Sequence, residues 1–273
     1  MTDFEVEFRS LDGTVLCGTV TPAATPPAAL AVLVHGAGVT REEGGFFARL
    51  ASGLAGVGVT CLRFDLRAHG ASGGRFPDVT IAGVANDIRA ASDHLAEITN
   101  RPGPVHVLAA SFAGGAAAMH TARRPGDVDR LVLLNPRMDY KNRFITEEGG
   151  WVGDYLSQER AAKLDERGFA VRQPFEVGRA LLNEVFHLPE PEEVCAAVRR
   201  PVLIVHGTKD TFVDVELSRR YAPLFGAGAE LYELDGAQHG FAVHEDPQYA
   251  HPQSQAWQRE VIAKVGDFLT ESF

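Results

Sequence analysis

Short apolar runs alternate with longer amphipathic segments over most of the chain. The continuous apolar runs have the composition of strands buried on both faces, and they cover residues 30–34, 59–64, 105–109, 131–134 and 202–205. Helical segments are predicted for residues 46–57, 81–98 and 112–122 and for a final apolar stripe of Trp257, Val261, Val265 and Phe268. This alternation predicts an α/β fold with a mostly parallel sheet.

Weaker patterns supply the remaining strands. Two β-like segments, residues 5–9 and 15–20, open the chain on either side of the turn residues Asp12 and Gly13. Residues 231–234 are predicted to form the last strand. The expected architecture is therefore an eight-stranded sheet with helices on both faces.

Residues 135–198 interrupt the alternation. They carry many charges and scattered aromatic side chains, but no strong buried strand. A structureless connection of this length is unusual in a compact domain, so the segment is predicted to fold as an insertion. The chain then divides into a core domain, residues 1–134 and 199–273, and an insertion at residues 135–198.

Composition and charge exclude several classes of protein. The 273 residues carry a net charge of −10, and an acidic surface repels the phosphate backbone of nucleic acids. The first residues lack the basic and apolar regions of a secretory signal, and the most apolar stretch is too short to span a bilayer. Cys17, Cys61 and Cys195 are odd in number and lack metal-ligand spacing. We expect a cytoplasmic protein with no membrane partner and no disulfide framework.

Ser111 is the first candidate for chemistry. It stands between the strand at 105–109 and the helix at 112–122, where a sharp turn would hold a side chain above the carboxyl ends of the strands. Serine is also a common helix N-cap, so this residue alone leaves both interpretations open. The strongest form of the motif, G-x-S-x-G, has glycines where this chain has Ala109 and Ala113.

Three further groups follow predicted strands. His35-Gly36-Ala37-Gly38 comes directly after residues 30–34, and its glycines allow a tight loop that aims backbone N–H groups at a site above the sheet. Asp210 follows the strand at 202–205, and His239 lies in a glycine-flanked loop after the last strand. The order serine, acid, histidine, with each residue placed just after a strand, favours a nucleophilic serine over a helix cap.

These motifs resemble the α/β-hydrolase superfamily over nearly the whole chain. Residues 65–72 are similar to the D-x-R-G-x-G-x-S loop of that family, which has a structural role there. The segment at 135–198 resembles the lid of small-lid esterases, a group that includes cinnamoyl and feruloyl esterases. The resemblance also implies that the backbone N–H groups of Ala37 and Phe112 form the oxyanion hole.

The resemblance implies an acyl-enzyme mechanism in which Ser111 is the nucleophile, His239 the base and Asp210 the acid that orients the histidine. Asp214 is the alternative acid, and Asp210 is preferred because it lies nearer the strand end. A carboxylic ester is the first substrate class and an acyl thioester the second. The mechanism requires no metal or organic cofactor.

Other interpretations remain open. A non-hydrolytic binding protein on the same fold would be expected to lack one member of the triad. A metal site could use His239, His244, Glu245, Asp246 and His251, but their irregular loop spacing disfavours it. An exposed lid or edge strand could support a homodimer.

The insertion supplies candidates for substrate contact, namely the aromatic residues Trp151, Tyr155 and Phe186. Side chains of this kind also form the small core of such an insertion, which is the alternative for these three.

Overall fold

The structure is a computed structural model that describes residues 2–23, 27–170, 173, 175–246 and 249–271. Its strands, in chain order, are β1 (Phe4–Arg9), β2 (Val15–Thr21), β3 (Ala29–Val34), β4 (Val59–Phe64), β5 (Val105–Ala110), β6 (Val128–Leu134), β7 (Trp151–Val152), β8 (Tyr155–Leu156), β9 (Val202–Gly207) and β10 (Ala229–Leu234). Its helices are α1 (Phe46–Gly56), α2 (Ile81–Ile98), α3 (Ala113–Arg123), α4 (Gln158–Arg167), α5 (Arg179–Glu184), α6 (Pro191–Ala197), α7 (Val215–Tyr221) and α8 (Pro252–Thr270).

The described strands other than β7 and β8 form one eight-stranded sheet in the order β1-β2-β4-β3-β5-β6-β9-β10. The first hairpin is antiparallel, β2 also pairs antiparallel with β4, and all other neighbours are parallel. The predicted eight-stranded, mostly parallel sheet is therefore confirmed. Because the parallel strands end at one edge, the loops that follow β3, β5, β9 and β10 meet above the sheet.

Helices cover both faces of the sheet and divide the core in two. On one face α1 packs against α8, and the predicted stripe of the final helix is confirmed there, with Val261, Val265 and Phe268 buried. On the other face α2 and α3 pack together, and their apolar side chains form the larger cluster with the strands. The side chains of both clusters are almost fully buried, so the sheet is a closely packed support for the loops above it.

A buried ion pair fixes the loop that follows β4. The Arg67 guanidinium donates two hydrogen bonds to the carboxylate of Asp87 on α2, at 2.9 and 2.7 Å. The backbone N–H of Arg67 donates a third at 3.2 Å, and the Ser10 hydroxyl donates a fourth at 2.6 Å. The Asp87 side chain is fully buried, so removal of its partner would leave a charge without compensation. This arrangement agrees with the structural role predicted for the loop at 65–72.

The segment between β6 and β9 contains the β7–β8 hairpin and the helices α4, α5 and α6. Residues 171, 172 and 174 of the predicted insertion lie outside the described residues. Glu184, at the end of α5, accepts hydrogen bonds from the N–H groups of Ile81 (2.5 Å) and Ala82 (2.8 Å) in the first turn of α2. A carboxylate at this position also interacts favourably with the helix dipole, so the segment is anchored on the core.

Within the described ranges, none of the helices combines the length and the apolar character needed to cross a lipid bilayer.

Candidate active site

Ser111 occupies the turn between β5 and α3 in a conformation that few non-glycine residues adopt. Its φ is +47°, in the left-handed region, and its N–H donates to the carbonyl of Leu134 on the neighbouring strand at 2.9 Å. Ala109 and Ala113 are fully buried, and neither is among the described residues with positive φ. The strain is therefore carried by the serine itself, which explains how a sharp elbow forms with alanine in place of both glycines.

Two glycines just after the elbow allow α3 to approach the chain that leaves β6. A Cβ added to Gly114 would lie 2.7 Å from the Cβ of Pro136, and one added to Gly115 would lie 2.7 Å from the ring of Tyr140. The Tyr140 hydroxyl donates to the carbonyl of Phe112 at 2.5 Å and accepts from the N–H of Ala116 at 2.9 Å. These contacts hold the start of α3 behind the serine.

The loops after β5, β9 and β10 bring the three predicted triad residues into one hydrogen-bonded chain. His239 Nδ1 lies 2.6 Å from Asp210 Oδ2, and His239 Nε2 lies 3.0 Å from Ser111 Oγ. An ionised carboxylate only accepts hydrogen bonds, so Nδ1 carries the ring hydrogen and Nε2 presents a lone pair to the serine hydroxyl. Both distances are within the range required for proton transfer.

The surroundings of Asp210 keep it ionised. Its Oδ1 accepts the N–H groups of Phe212 (2.8 Å) and Val213 (2.9 Å), and its side chain is fully buried. Burial raises the pKa of the Asp210 carboxyl, but hydrogen bonds from His206, His239 and Val213 outweigh it and hold the pKa well below its usual value. The acid beside the histidine is therefore a carboxylate at neutral pH.

The alternative acid lies elsewhere. Asp214 is the N-cap of α7, where its side chain accepts the N–H of Glu216 at 3.0 Å. This capping explains the residue without any catalytic role.

The loop after β3 is held in place by three side chains. The His35 ring donates through Nδ1 to the carbonyl of Gly36 at 2.6 Å, and Glu43 accepts the N–H of Gly36, also at 2.6 Å. His69 Nε2 accepts the N–H of Gly38 at 3.1 Å. The carbonyl of Gly36 and the N–H of Ala37 belong to one planar trans peptide and point in opposite directions, so the bond from His35 also sets the direction of the Ala37 N–H.

Both histidines that hold this loop are neutral. Burial lowers the pKa of His35 to about 3, and burial also lowers the pKa of His69. A neutral ring keeps one nitrogen free to accept, which the bonds from Leu66 to His35 and from Gly38 to His69 require.

The predicted oxyanion donors lie on either side of the nucleophile. Ala37 lines the same pocket as Ser111, and Phe112 follows Ser111 directly in the chain. In the part of the chain that the structure describes, neither backbone N–H donates to a protein acceptor. Both donors are thus available to an oxygen atom of a bound molecule.

The pocket at Ser111 holds a carboxyl group that the sequence analysis did not identify. The pocket has a volume of about 90 Å³ and is lined by Ser111 and His239 together with Glu43, Phe46, Phe241 and Tyr249. Burial raises the pKa of the Glu43 carboxyl. No motif marks Glu43, and the only local signal is an acid placed directly before Gly44 and Gly45 in the loop after β3.

The aromatic residues predicted to contact substrate lie away from this pocket. Trp151, Tyr155 and Phe186 line a cavity within the insertion that shares no described residue with the pocket of Ser111. The rings of Trp151 and Phe186 pack edge to face with their centroids 5.7 Å apart, and the Tyr155 residue is 81% exposed. The structure does not bring these residues to Ser111, because two of them pack on each other within the insertion.

A different aromatic cluster lies next to the elbow. Phe175 packs against Phe112 and Phe76, with ring centroids 5.3 and 5.7 Å away. The ring of Phe76 in turn contacts His69, with 4.9 Å between the centroids. Phe112 and Phe175 are almost fully buried, so Phe175 of the insertion packs closely on the residue that follows the nucleophile.

No three His, Cys, Asp or Glu side chains gather as metal ligands within the described residues. Of the five residues considered for a metal site, His239 belongs to the hydrogen-bonded chain with Ser111, and His251 is the N-cap of α8.

The chain is similar to several known proteins. A monoacylglycerol lipase from Mycolicibacterium smegmatis is 27% identical over 244 residues, which cover 80% of this chain and 83% of the lipase. Among solved structures, Est1E from Butyrivibrio proteoclasticus with bound ferulic acid superposes with a TM-score of 0.74 at 20% identity, covering 95% of this chain and 99% of Est1E. Mouse alpha/beta hydrolase domain-containing protein 10 superposes with a TM-score of 0.70 at 17% identity, covering 97% of this chain and 98% of the mouse protein. At such identities the solved structures show the fold alone.

The profile of the Alpha/beta hydrolase family matches residues 31–250, which include every residue of the hydrogen-bonded chain described above, and the protein belongs to that family.

Proposed function

We propose that the protein is a serine hydrolase that cleaves a carboxylic ester through an acyl-enzyme on Ser111. The observation that carries the proposal is the continuous chain from Asp210 through His239 to Ser111, with contacts of 2.6 and 3.0 Å. Each member lies within hydrogen-bond distance of the next, as the proposed reaction requires.

In the first step, Ser111 Oγ attacks the ester carbonyl while its proton passes to His239 Nε2. The resulting imidazolium carries a positive charge beside Asp210, whose carboxylate is held ionised by its backbone and side-chain donors. The ester oxygen then leaves with the proton from Nε2. Water repeats the sequence on the acyl-enzyme and releases the acid.

The negative charge that develops on the carbonyl oxygen is stabilised by the N–H groups of Ala37 and Phe112. Loss of one such donor costs about 2.7–4 kcal/mol of transition-state stabilisation in other enzymes. The hydrogen bonds of His35 and Glu43 to Gly36 fix the direction of the Ala37 N–H, so this group needs little reorientation during the reaction.

We further propose that residues 135–198 act as a lid over Ser111, because Phe175 lies against Phe112 directly beside the nucleophile. The proposal assigns no substrate contact to Trp151, Tyr155 or Phe186. A cytoplasmic location and a homodimer stay predictions from the sequence.

The ester class has support from the relatives, since the curated relative is named a monoacylglycerol lipase and Est1E binds ferulic acid. An acyl thioester would be cleaved by the same residues, and no described feature of the pocket favours it over an oxygen ester.

The test is hydrolysis of propyl butanoate and of S-propyl butanethioate by the wild type, Ser111→Ala and Ser10→Ala. Ser10 is a buried serine bonded to Asp87, so it is a matched control away from the pocket. We expect Ser111→Ala to lose activity on both compounds, Ser10→Ala to keep it, and the wild type to favour the oxygen ester relative to hydroxide-catalysed hydrolysis. Equal activity of wild type and Ser111→Ala would refute the proposal, and a preference for the thioester would replace the substrate class.

A further inference from the structure

Glu43 is an acidic residue in a position where charge is costly, and burial raises the pKa of its carboxyl. It lines the pocket of Ser111, and its Oε1 accepts one hydrogen bond, from the N–H of Gly36 at 2.6 Å. Among the residues that the structure describes, no Lys, Arg or His forms an ion pair with this carboxylate. Its neighbour Glu42, by contrast, lies within ion-pair distance of Arg41 and Arg63 outside the pocket. A desolvated carboxylate without a cation requires compensation, and a bound substrate can supply it.

The pocket lies on the side of the nucleophile where the leaving group departs. His239 must hand its proton to the leaving oxygen, so the leaving group lies against the histidine. The pocket is lined by His239 itself and by residues that follow it in the chain, Gly240, Phe241 and Tyr249. Phe175 of the insertion packs against Phe112 of the elbow, and neither residue lines this pocket. If Ser111 cleaves esters as proposed above, the alcohol portion of the substrate therefore occupies the space beside Glu43.

We infer that Glu43 recognises a hydroxyl group on the leaving alcohol, and that the preferred substrates are esters of a diol or polyol with a free hydroxyl next to the ester oxygen. In its ionised form, which exists above the raised pKa of its carboxyl, Glu43 accepts hydrogen bonds and donates none, so it suits a hydroxyl donor and repels a leaving group that carries an anion.

The distances set where that hydroxyl must be. A Cβ atom added to Gly36 would lie 3.3 Å from Glu43 Oε1 and 3.7 Å from Ser111 Oγ. The carboxylate and the nucleophile thus face the same small space. Because both oxygens lie so close to one point, a hydroxyl on the next carbon of the alcohol can reach the Glu43 carboxyl when Ser111 attacks the ester carbon.

The opposite wall of the pocket adds no competing charge. Gly44 has a φ of +62° and no side chain, and an added Cβ there would lie 2.4 Å from the ring of Tyr249. Tyr249 therefore covers the loop of Glu43 closely. The titratable groups that face Glu43 are the Tyr249 phenol, which burial keeps neutral by raising its pKa, and the His239 ring.

Three butanoate esters with leaving groups of similar size provide the test: the propyl ester, the 2-hydroxyethyl ester and the carboxymethyl ester. The kcat/KM of each is measured for the wild type, Glu43→Gln and the control Glu42→Gln. Gln retains an oxygen for the N–H of Gly36 but removes the charge. Dividing the ratio of two esters in the wild type by the same ratio in Glu43→Gln cancels their intrinsic reactivity.

We expect the preference for the 2-hydroxyethyl over the propyl ester to fall by about fivefold to tenfold in Glu43→Gln, the difference between a charged and a neutral acceptor. Discrimination against the carboxymethyl ester falls in the same variant, and Glu42→Gln matches the wild type in both ratios. Propyl ester turnover with unchanged ratios in Glu43→Gln overturns the inference but leaves the proposed function intact.

Failure of the wild type to hydrolyse any of the three esters overturns the proposed function and the inference with it. If Glu43→Gln does not fold, the wild type alone decides the matter, after each rate is divided by the hydroxide-catalysed rate of the same ester. A 2-hydroxyethyl ester that is then no better than the propyl ester refutes the inference.

Discussion

Replacement of Asp210 by asparagine is expected to keep the fold and lose most of the activity. The two backbone N–H groups of Phe212 and Val213 bind Oδ1, so they hold the amide oxygen of asparagine in the same place. The amide NH₂ then takes the position of Oδ2, which lies 2.6 Å from His239 Nδ1. Two donors cannot share that contact, so the histidine changes tautomer and presents an N–H to Ser111.

A histidine in this tautomer cannot accept the proton of Ser111. The same change in another serine hydrolase lowers kcat by about 10⁴-fold, which corresponds to about 5 kcal/mol of transition-state free energy. We expect a loss of this size in kcat/KM for propyl butanoate, with a circular dichroism spectrum like that of the wild type.

Asp214→Asn is the matched control. Asparagine caps helices as well as aspartate does, so α7 keeps its N-cap and the activity stays at the wild-type level. A folded Asp210→Asn variant within tenfold of wild-type activity would refute the assignment of the acid. Loss of activity in Asp214→Asn instead would transfer the role to that residue.

Three further predictions concern stability. Gly115→Ala places a methyl group 2.7 Å from a buried tyrosine ring and is expected to lower the free energy of unfolding by about 1–3 kcal/mol. Gly126→Ala places its methyl group in open space and should leave the midpoint of urea unfolding unchanged. Equal midpoints for the two variants would contradict the close packing at Gly115. Arg67→Ala leaves the buried Asp87 carboxylate without its cation and is expected to lower the free energy of unfolding by about 3–5 kcal/mol, measured by urea titration. Arg75→Ala removes an exposed ion pair and should have no measurable effect. Similar losses of stability in both variants would contradict the importance of the buried pair. Burial lowers the pKa of His120 from 6.5 to about 4, so the unfolded chain binds more protons than the folded protein between these pH values. The free energy of unfolding therefore falls as the pH drops from 6.5 to 4. His120→Leu should flatten this slope, and an unchanged slope would contradict the role of His120.

The number of sheet strands and their positions along the chain could be predicted from the sequence because each buried strand is a short apolar run between helical segments. The boundaries were less accurate where charge enters a strand. The predicted strand at 131–134 begins at Val128 in the structure, since Asp129 and Arg130 interrupt the apolar pattern while the backbone continues to pair.

The three residues of the hydrogen-bonded chain could be predicted because a parallel sheet brings the loops at its carboxyl edge together, whatever their separation in sequence. Glu43 could not be predicted in this way. Its position depends on a bend at φ +45° and on Gly44, and no pattern of apolar residues records that geometry.

The aromatic residues of the insertion show a second limit. Composition indicated an apolar surface, but only the fold decides which side chains face the nucleophile. Phe175 packs on Phe112, the residue after the nucleophile, whereas Trp151 and Phe186 pack on each other.

The central claim is that the protein activates Ser111 as a nucleophile, and the most direct test is the intact mass after incubation with a fluorophosphonate. Wild type and Ser111→Ala are treated side by side, with Ser10→Ala as the control for other serines. The account predicts one adduct on the wild type and on Ser10→Ala, and none on Ser111→Ala. A folded wild-type protein that stays unlabelled by this probe and by a small sulfonyl fluoride, or an equal adduct on Ser111→Ala, would contradict it.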